Sequence, residues 1–338
     1  MFGPAAYTVK RASPSSGGKG WKGLSMVGLF GKRAFTLIEL LVVVAIIGLL
    51  ISVLMPALSR SRTTAKSAVC LSRLRTLGHG LVLYANGNRD ALVPARMPAV
   101  NDDQTRNLIL GGMKYRPTYL AMMGNEVGVP AFDEPKANRK EVDKFGQPGD
   151  RQNYSSSAYL CPETPEWVDE RNGSYGYNYQ FLGNARLRNA SDLTSYKNWS
   201  VKLSSVRTPA ECVAVADSMG TAATFRRTNR REYQDNLPNE SSSGRDENAY
   251  GNEGFNLDPP RIDLARGEAA GFDVGLILRT AAHERHGGRA GVLWVDMHAT
   301  PETLHTLGYE VEEEGEIALE GDNRLFHSRH IDEPWLED

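Results

Sequence analysis

The longest apolar stretch in the chain runs from Phe35 to Leu54 (FTLIELLVVVAIIGLLISVL), with Glu39 as its one charge and none between Leu40 and Met55. At ~1.5 Å per helical residue, about 20 such residues cross a hydrocarbon core of ~30 Å. The pattern then changes without a break. Leu58, Ala65, Val69, Leu74, Leu77, Leu81 and Tyr84 recur mostly at spacings of three, four or seven, which predicts one apolar stripe on a helix. Arg60, Arg62, Lys66, Arg73 and Arg75 fall between them as the polar surface. Asn86-Gly87-Asn88 supplies a left-handed stop. The reading is one helix of about 50 residues, apolar all round in its first half and amphipathic in its second. Within it, Pro56 removes a backbone donor and predicts a kink, and Gly48 permits close packing.

Beyond the helix the periodicity is weaker. Residues 94–160 are rich in Pro, Gly and Asn and predict loops with a short helix or two near Tyr115–Met123. Ser174-Tyr175-Gly176-Tyr177-Asn178-Tyr179 alternates Tyr with small residues, as in a strand or a packed aromatic loop. Cys212–Asp217 (CVAVAD) and Ala290–Val295 (AGVLWV) predict buried strands, the second followed by a turn at Asp296-Met297 and a return at His298–Thr300. Residues 226–270 are polar and predict a surface insertion. Residues 310–338, with Glu312-Glu313-Glu314, predict a solvated acidic tail. The expected organisation is a leader (1–34), a membrane helix (35–57), its amphipathic extension (58–88), a globular domain (89–309) and the tail (310–338). No internal repeat is present.

Charge adds a direction. The formal net charge is −2 over 338 residues, but residues 1–34 carry six basic side chains and no acid (Lys10, Arg11, Lys19, Lys22, Lys32, Arg33), leaving the remainder at −8. Basic residues just before an apolar span predict a cytoplasmic N-terminus and a globular part on the far side of the inner membrane. No basic run interleaved with aromatics follows, which argues against nucleic acid as a partner. A secretory signal peptide would have a shorter apolar core and a small-x-small cleavage site, and Met55-Pro56-Ala57-Leu58 is not one. Glu39 fits an ordinary anchor poorly, because a carboxylate inside a spanning helix is costly unless it is paired or near the interface.

Gly31-Lys32-Arg33-Ala34-Phe35-Thr36-Leu37-Ile38-Glu39-Leu40 resembles the processing signal of type IV prepilins and type II secretion pseudopilins. The resemblance implies cleavage between Ala34 and Phe35 by a prepilin peptidase and N-methylation of Phe35. Ala34 departs from the Gly usual before the cut. A start at Met26 would leave a nine-residue leader that retains Lys32 and Arg33. The resemblance also implies assembly of the mature chain with other pilin or pseudopilin subunits at an inner-membrane platform. There Glu39 pairs with the new α-amino group of a neighbour, relieving two charges in lipid and setting axial register. The implied fold is α+β and type IV pilin-like: a long N-terminal transmembrane helix packed on a small antiparallel sheet with long loop insertions. The expected role is a structural subunit, with no catalytic residues and no cofactor.

A second resemblance covers the domain. Cys70-Leu71-Ser72-Arg73-Leu74-Arg75-Thr76-Leu77-Gly78, Tyr84-Ala85-Asn86, Cys161-Pro162 and Tyr175-Gly176-Tyr177-Asn178 look like planctomycete-type prepilin-like proteins. So does a C-terminal His286, nine residues, then Asp296, where Met297 replaces the usual Gly. His286 and Asp296 are expected to hydrogen-bond across a strand–turn–strand unit and fix its register. The alternative reading, a membrane-anchored periplasmic metalloenzyme, draws on His283, His286, Asp296 and His298 as ligands. His283-Glu284-Arg285-His286 is one residue short of the HExxH spacing. The acidic stretch Asp246–Glu253 lacks calcium-ligand spacing. Of the three cysteines, Cys70 and Cys161 are expected to form a disulfide. Cys70 lies on the helix face toward the sheet and Cys161 on an extended segment before Pro162. Cys212, which opens an apolar strand, is expected free and buried.

Overall fold

The structure is a computed structural model. It describes residues 36–96, 117–124, 126–128, 156–165, 174–183, 185–187, 196–198, 201–230, 254–262, 271–273 and 276–332. The leader, Ala34 and Phe35 lie outside these residues, as does Asp246–Glu253.

Helix α1 spans Leu37–Gly87 without interruption through Gly48 and Pro56. The chain divides into two units at Met55/Pro56, so α1 belongs to both. In the first unit its apolar side chains are exposed, from Leu37 at 79% to Leu54 at 66%. The helix is long and apolar enough to cross a membrane. In the second unit the buried stripe is Cys70, Leu74, Leu77, Leu81 and Ala85, at spacings of four, three, four and four. This narrows the expected face: Leu58 and Val69 are exposed, because the stripe begins only at Cys70. Asn88 ends the helix by donating from its side-chain amide to the Tyr84 carbonyl (2.8 Å). Two arginines expected at the surface help dock the helix: Arg73 donates to the Leu160 carbonyl (2.6 Å) and Arg75 to that of Ala299 (3.2 Å).

A five-residue helix, α2 (Tyr119–Met123), falls in the expected apolar stretch. The strands are β1 (Tyr175–Tyr177), β2 (Ala185–Leu187), β3 (Tyr196–Asn198), β4 (Val213–Asp217), β5 (Gly271–Asp273), β6 (Leu276–Leu278), β7 (Ala290–Trp294), β8 (Ala299–Glu302), β9 (Tyr309–Val311) and β10 (Ile317–Gly321). The main sheet is antiparallel in the order β1-β4-β7-β8, and β2-β3, β5-β6 and β9-β10 form separate two-stranded ribbons. The return expected at His298–Thr300 is β8, whose Thr300 faces Val292. The turn between β7 and β8 places Met297 at φ 75°.

Alternation along β7 shows how the sheet is covered. Leu293 and Val295 face the core shared with Cys70, Leu74, Leu77, Leu81, Tyr119 and Tyr177. Ala290, Val292 and Trp294 face a second core with Phe181, Leu304, Leu307, Tyr309, Ile317 and Phe326. Two covered faces explain why these strands read as continuous apolar runs. A shift of register between Val213 and Val215 marks a bulge in β4.

The second core corrects two expectations. The acidic segment is not a free tail: Glu312–Glu314 are exposed, but Glu312 and Gly315 turn the chain between β9 and β10, whose Tyr309 and Ile317 are buried. Past the hairpin, Asn178 holds the chain by donating to the Phe326 carbonyl (2.8 Å) and to that of Val213 (2.9 Å). Nor is 226–270 wholly a surface insertion. Phe255 and Leu257 are buried, and Tyr177 and Asn256 form a parallel bridge beside β1. Few apolar residues in a polar stretch suffice when each is buried.

Candidate functional site

The N-terminal site starts at Thr36. Its backbone N–H and its hydroxyl both donate to the Glu39 carboxylate (2.8 Å each), and the Glu39 N–H donates to the Thr36 hydroxyl (3.2 Å). This is a capping box, Thr-x-x-Glu, satisfying backbone donors that the first turn leaves orphaned. The sequence carries that signature openly, and it gives Glu39 a task within its own subunit.

The second site is buried and comes from four parts of the chain. Cys70 sits on α1, Cys161 in the extended segment before Pro162, Asp217 at the end of β4 and His286 before β7. All four are buried, and their ligand-type atoms lie within 4.8 Å of one another. The His286 Nε2 is 3.2 Å from Cys161 Sγ and 3.2 Å from Asp217 Oδ2. On the opposite side, Nδ1 is 2.9 Å from Glu163 Oε2. Cys70 Sγ lies 3.5 Å from each Asp217 oxygen, and the Tyr175 hydroxyl donates to it at 3.5 Å. The Gly291 N–H donates to Asp217 Oδ2 at 2.7 Å. Arg285, its side chain 2% exposed, stands 3.8 Å from Asp217 Oδ1 and also donates to the Ser218 carbonyl.

The electrostatics follow from this packing. Burial pushes the Asp217 carboxyl up, but Arg285 and His286 outweigh it and hold it below the usual carboxylate range. Burial pushes His286 down, yet its hydrogen bonds to Asp217 and Cys161 bring it up to about 10. The two thiols diverge. The hydrogen bond between them lowers Cys161, to about 6, against burial and with help from His286, and it raises Cys70, as burial does.

These positions correct three expectations. Cys70 and Cys161 are neighbours but carry free thiols. Besides the hydrogen bond between them, Cys70 meets Asp217 and Tyr175, and Cys161 meets His286. Cys212 is likewise free and buried. His286 does not meet Asp296. The two flank the five residues of β7, and such a strand rises about 16 Å. Asp296 instead lies 2.5 Å from His298 Nδ1 at the surface. The cluster of His283, His286, Asp296 and His298 is therefore not assembled. His283 is engaged by Arg285, whose Nε donates to Nδ1 (3.1 Å). Sequence reasoning missed Asp217, Glu163 and Arg285. The only signal for Asp217 was a carboxylate closing a buried strand.

Cys161, His286 and Glu163 have the order of nucleophile, base and orienting acid. Cys161, however, is 4% exposed, and Asp217 Oδ2 stands 3.2 Å from Nε2. The geometry suits fixed coordination better than turnover.

A long apolar N-terminal helix followed by a small antiparallel sheet defines a pilin-like α+β protein. Residues 29–55 match the family model described as the prokaryotic N-terminal methylation motif, which supports a pilin- or pseudopilin-type precursor, and among the described residues one helix is long and apolar enough to cross a membrane. The motif implies processing by a prepilin peptidase and assembly with other pilin subunits. No curated protein and no solved structure matches the chain.

Proposed function

We propose that the mature chain is a non-enzymatic structural subunit, a minor pilin or pseudopilin, of a type II secretion or type IV pilus-like filament. The observation that carries this reading is the methylation motif over residues 29–55, placed directly on the start of α1. In this reading Lys32 and Arg33 keep the leader in the cytoplasm, the peptidase cuts between Ala34 and Phe35, and Phe35 is N-methylated. The domain from Pro56 onward faces the periplasm, and the subunit passes from the lipid bilayer into the filament at an inner-membrane assembly platform.

Glu39 has two partners in turn. In the isolated subunit it caps α1 through Thr36. In the filament it meets the α-amino group of a neighbouring Phe35, one helical turn outward. The test is mass spectrometry of the N-terminus from membranes of cells with and without the peptidase. The expected result is an N-methyl-Phe35 terminus that disappears with the peptidase. An uncleaved leader on the mature protein in peptidase-positive cells would refute the reading.

A further inference from the structure

We propose that Cys70, Cys161, Asp217 and His286 are the four ligands of a structural zinc(II) ion that clips α1 to the sheet. Three of the six separations between donor atoms lie close to those of a tetrahedron around zinc. With bonds of about 2.3 Å to sulfur and about 2.0–2.1 Å to nitrogen or oxygen, neighbouring ligands stand about 3.3–3.8 Å apart. The corresponding separations are 3.2 Å for Cys161 Sγ to His286 Nε2, 3.2 Å for His286 Nε2 to Asp217 Oδ2, and 3.5 Å for Cys70 Sγ to Asp217. No atom of the set stands farther than 4.8 Å from another.

The surroundings are built for a bound cation. His286 turns Nε2 into the cluster and gives Nδ1 to Glu163 at 2.9 Å. This is the carboxylate–histidine–metal arrangement that fixes the tautomer and the ring of a ligating imidazole. The Gly291 N–H, at 2.7 Å, orients the Asp217 carboxylate. Charge closes as well. Two thiolates and the carboxylates of Asp217 and Glu163 carry four negative charges, and zinc, the buried Arg285 and Lys66, 3.8 Å from Glu163, supply four positive ones. Two sulfurs, an imidazole and a carboxylate in tetrahedral array select zinc over calcium or magnesium, which take oxygen ligands in larger number. Four protein ligands leave no open position, which marks the site as structural.

A purely hydrogen-bonded reading of the cluster leaves the thiols unexplained. Sulfur is a weak donor and a weak acceptor. The Asp217 carboxylate is already held by the Gly291 N–H, His286 and Arg285, so the two thiols beside it add little to its burial. Coordination engages both sulfurs, the carboxylate and the imidazole at once. It also ties together four segments that are otherwise distant in sequence.

The test uses the full chain purified in detergent without chelator or reductant. Metal analysis should give stoichiometric zinc. The zinc absorption edge should show two sulfur neighbours at about 2.3 Å and two nitrogen or oxygen neighbours at about 2.0–2.1 Å. Cobalt(II) exchanged into the site should give intense thiolate-to-metal absorption in the near ultraviolet. Zinc should be lost in Cys161→Ser and His286→Ala but kept in Cys212→Ser, where the buried thiol lies outside the cluster. The wild-type spectra do not depend on any variant folding. Metal-free wild type, another metal in its place, a wild-type mass showing a Cys70–Cys161 disulfide, or zinc retained in both Cys161→Ser and His286→Ala would overturn the proposal.

Discussion

Gly291→Ala tests how closely helix, strand and buried cluster are fitted. Gly291 lies in β7, on the face toward α1. A Cβ there would stand 2.9 Å from Asp217 Oδ2, 3.0 Å from Cys70 Sγ and 3.0 Å from Leu74 Cδ1. All three neighbours are buried, and two of them are cluster atoms held in place by other bonds, so none can swing aside as the end of a long exposed side chain would. Inserting a methyl into such a space costs about 1–3 kcal/mol. Replacing Gly by Ala also reduces the entropy of the unfolded chain, which returns about 0.4–1 kcal/mol. With the Cβ only 2.9 Å from Asp217 Oδ2, crowding sits in the upper part of its range, about 2–3 kcal/mol, and wins with a net loss of about 1–2.6 kcal/mol. For a domain of this size that lowers the unfolding midpoint by about 2–10 °C. The measurement is thermal unfolding of the detergent-solubilised chain, wild type against variant, followed by tryptophan fluorescence. Trp294 sits three residues along the same strand, 6% exposed, so it reports on this region. An unchanged or raised midpoint would mean that α1 does not approach β7 this closely, and the packing described above would fail.

Three further outcomes follow. Leu77→Ala, at a side chain with no exposure, should destabilise by about 2–5 kcal/mol in a urea titration. A loss under about 0.5 kcal/mol would deny it a place in the core. Asn178→Ala leaves the buried carbonyls of Val213 and Phe326 without their amide donor. It should cost about 1–3 kcal/mol and speed proteolysis in the segment after β10, whereas unchanged cleavage there would show that Asn178 does not hold that segment. Glu39→Ala should insert in the membrane normally and fail to enter the filament. Glu39→Gln separates the two tasks of this residue, because Gln serves a capping box as well as Glu does but carries no charge. If Glu39→Gln co-purifies with filaments at the wild-type level, pairing with a neighbour's amine is refuted.

How much of this was legible in the sequence depended on whether the physical cause was local. The helix was, because an unbroken apolar run and a 3.6-residue stripe both arise from neighbouring residues. Its buried face was misjudged at Leu58 and Val69, because periodicity alone does not say where along a helix the sheet begins. The strands β4 and β7 were legible because burial on both faces makes a continuous apolar run. The hairpin of β9 and β10 was not, since only Tyr309 and Ile317 anchor it and Glu312–Glu314 dominate the composition. At the buried cluster, reasoning from compartment brought Cys70 and Cys161 together in space but assigned them a bond they do not make. The pairing of His286 with Asp296 failed for a geometric reason: spacing along the chain was taken for proximity across a strand that holds the two apart. Asp217, Glu163 and Arg285 had no local signal, because their relation to Cys70 exists only once the sheet has formed.

The placement of the buried stripe of α1 decides how the subunit bears tension. The relevant load is a pull along the axis of α1 within the domain, residues 56–87. Cys70, Leu74, Leu77, Leu81 and Ala85 lie in a row parallel to that axis. The sheet therefore resists in shear, with every contact of the row loaded together, rather than in peeling, where contacts yield one after another. Arg73 and Arg75, anchored to the carbonyls of Leu160 and Ala299, brace the same row from its sides. A helix attached this way should slip as a unit, at a high force and over a short distance.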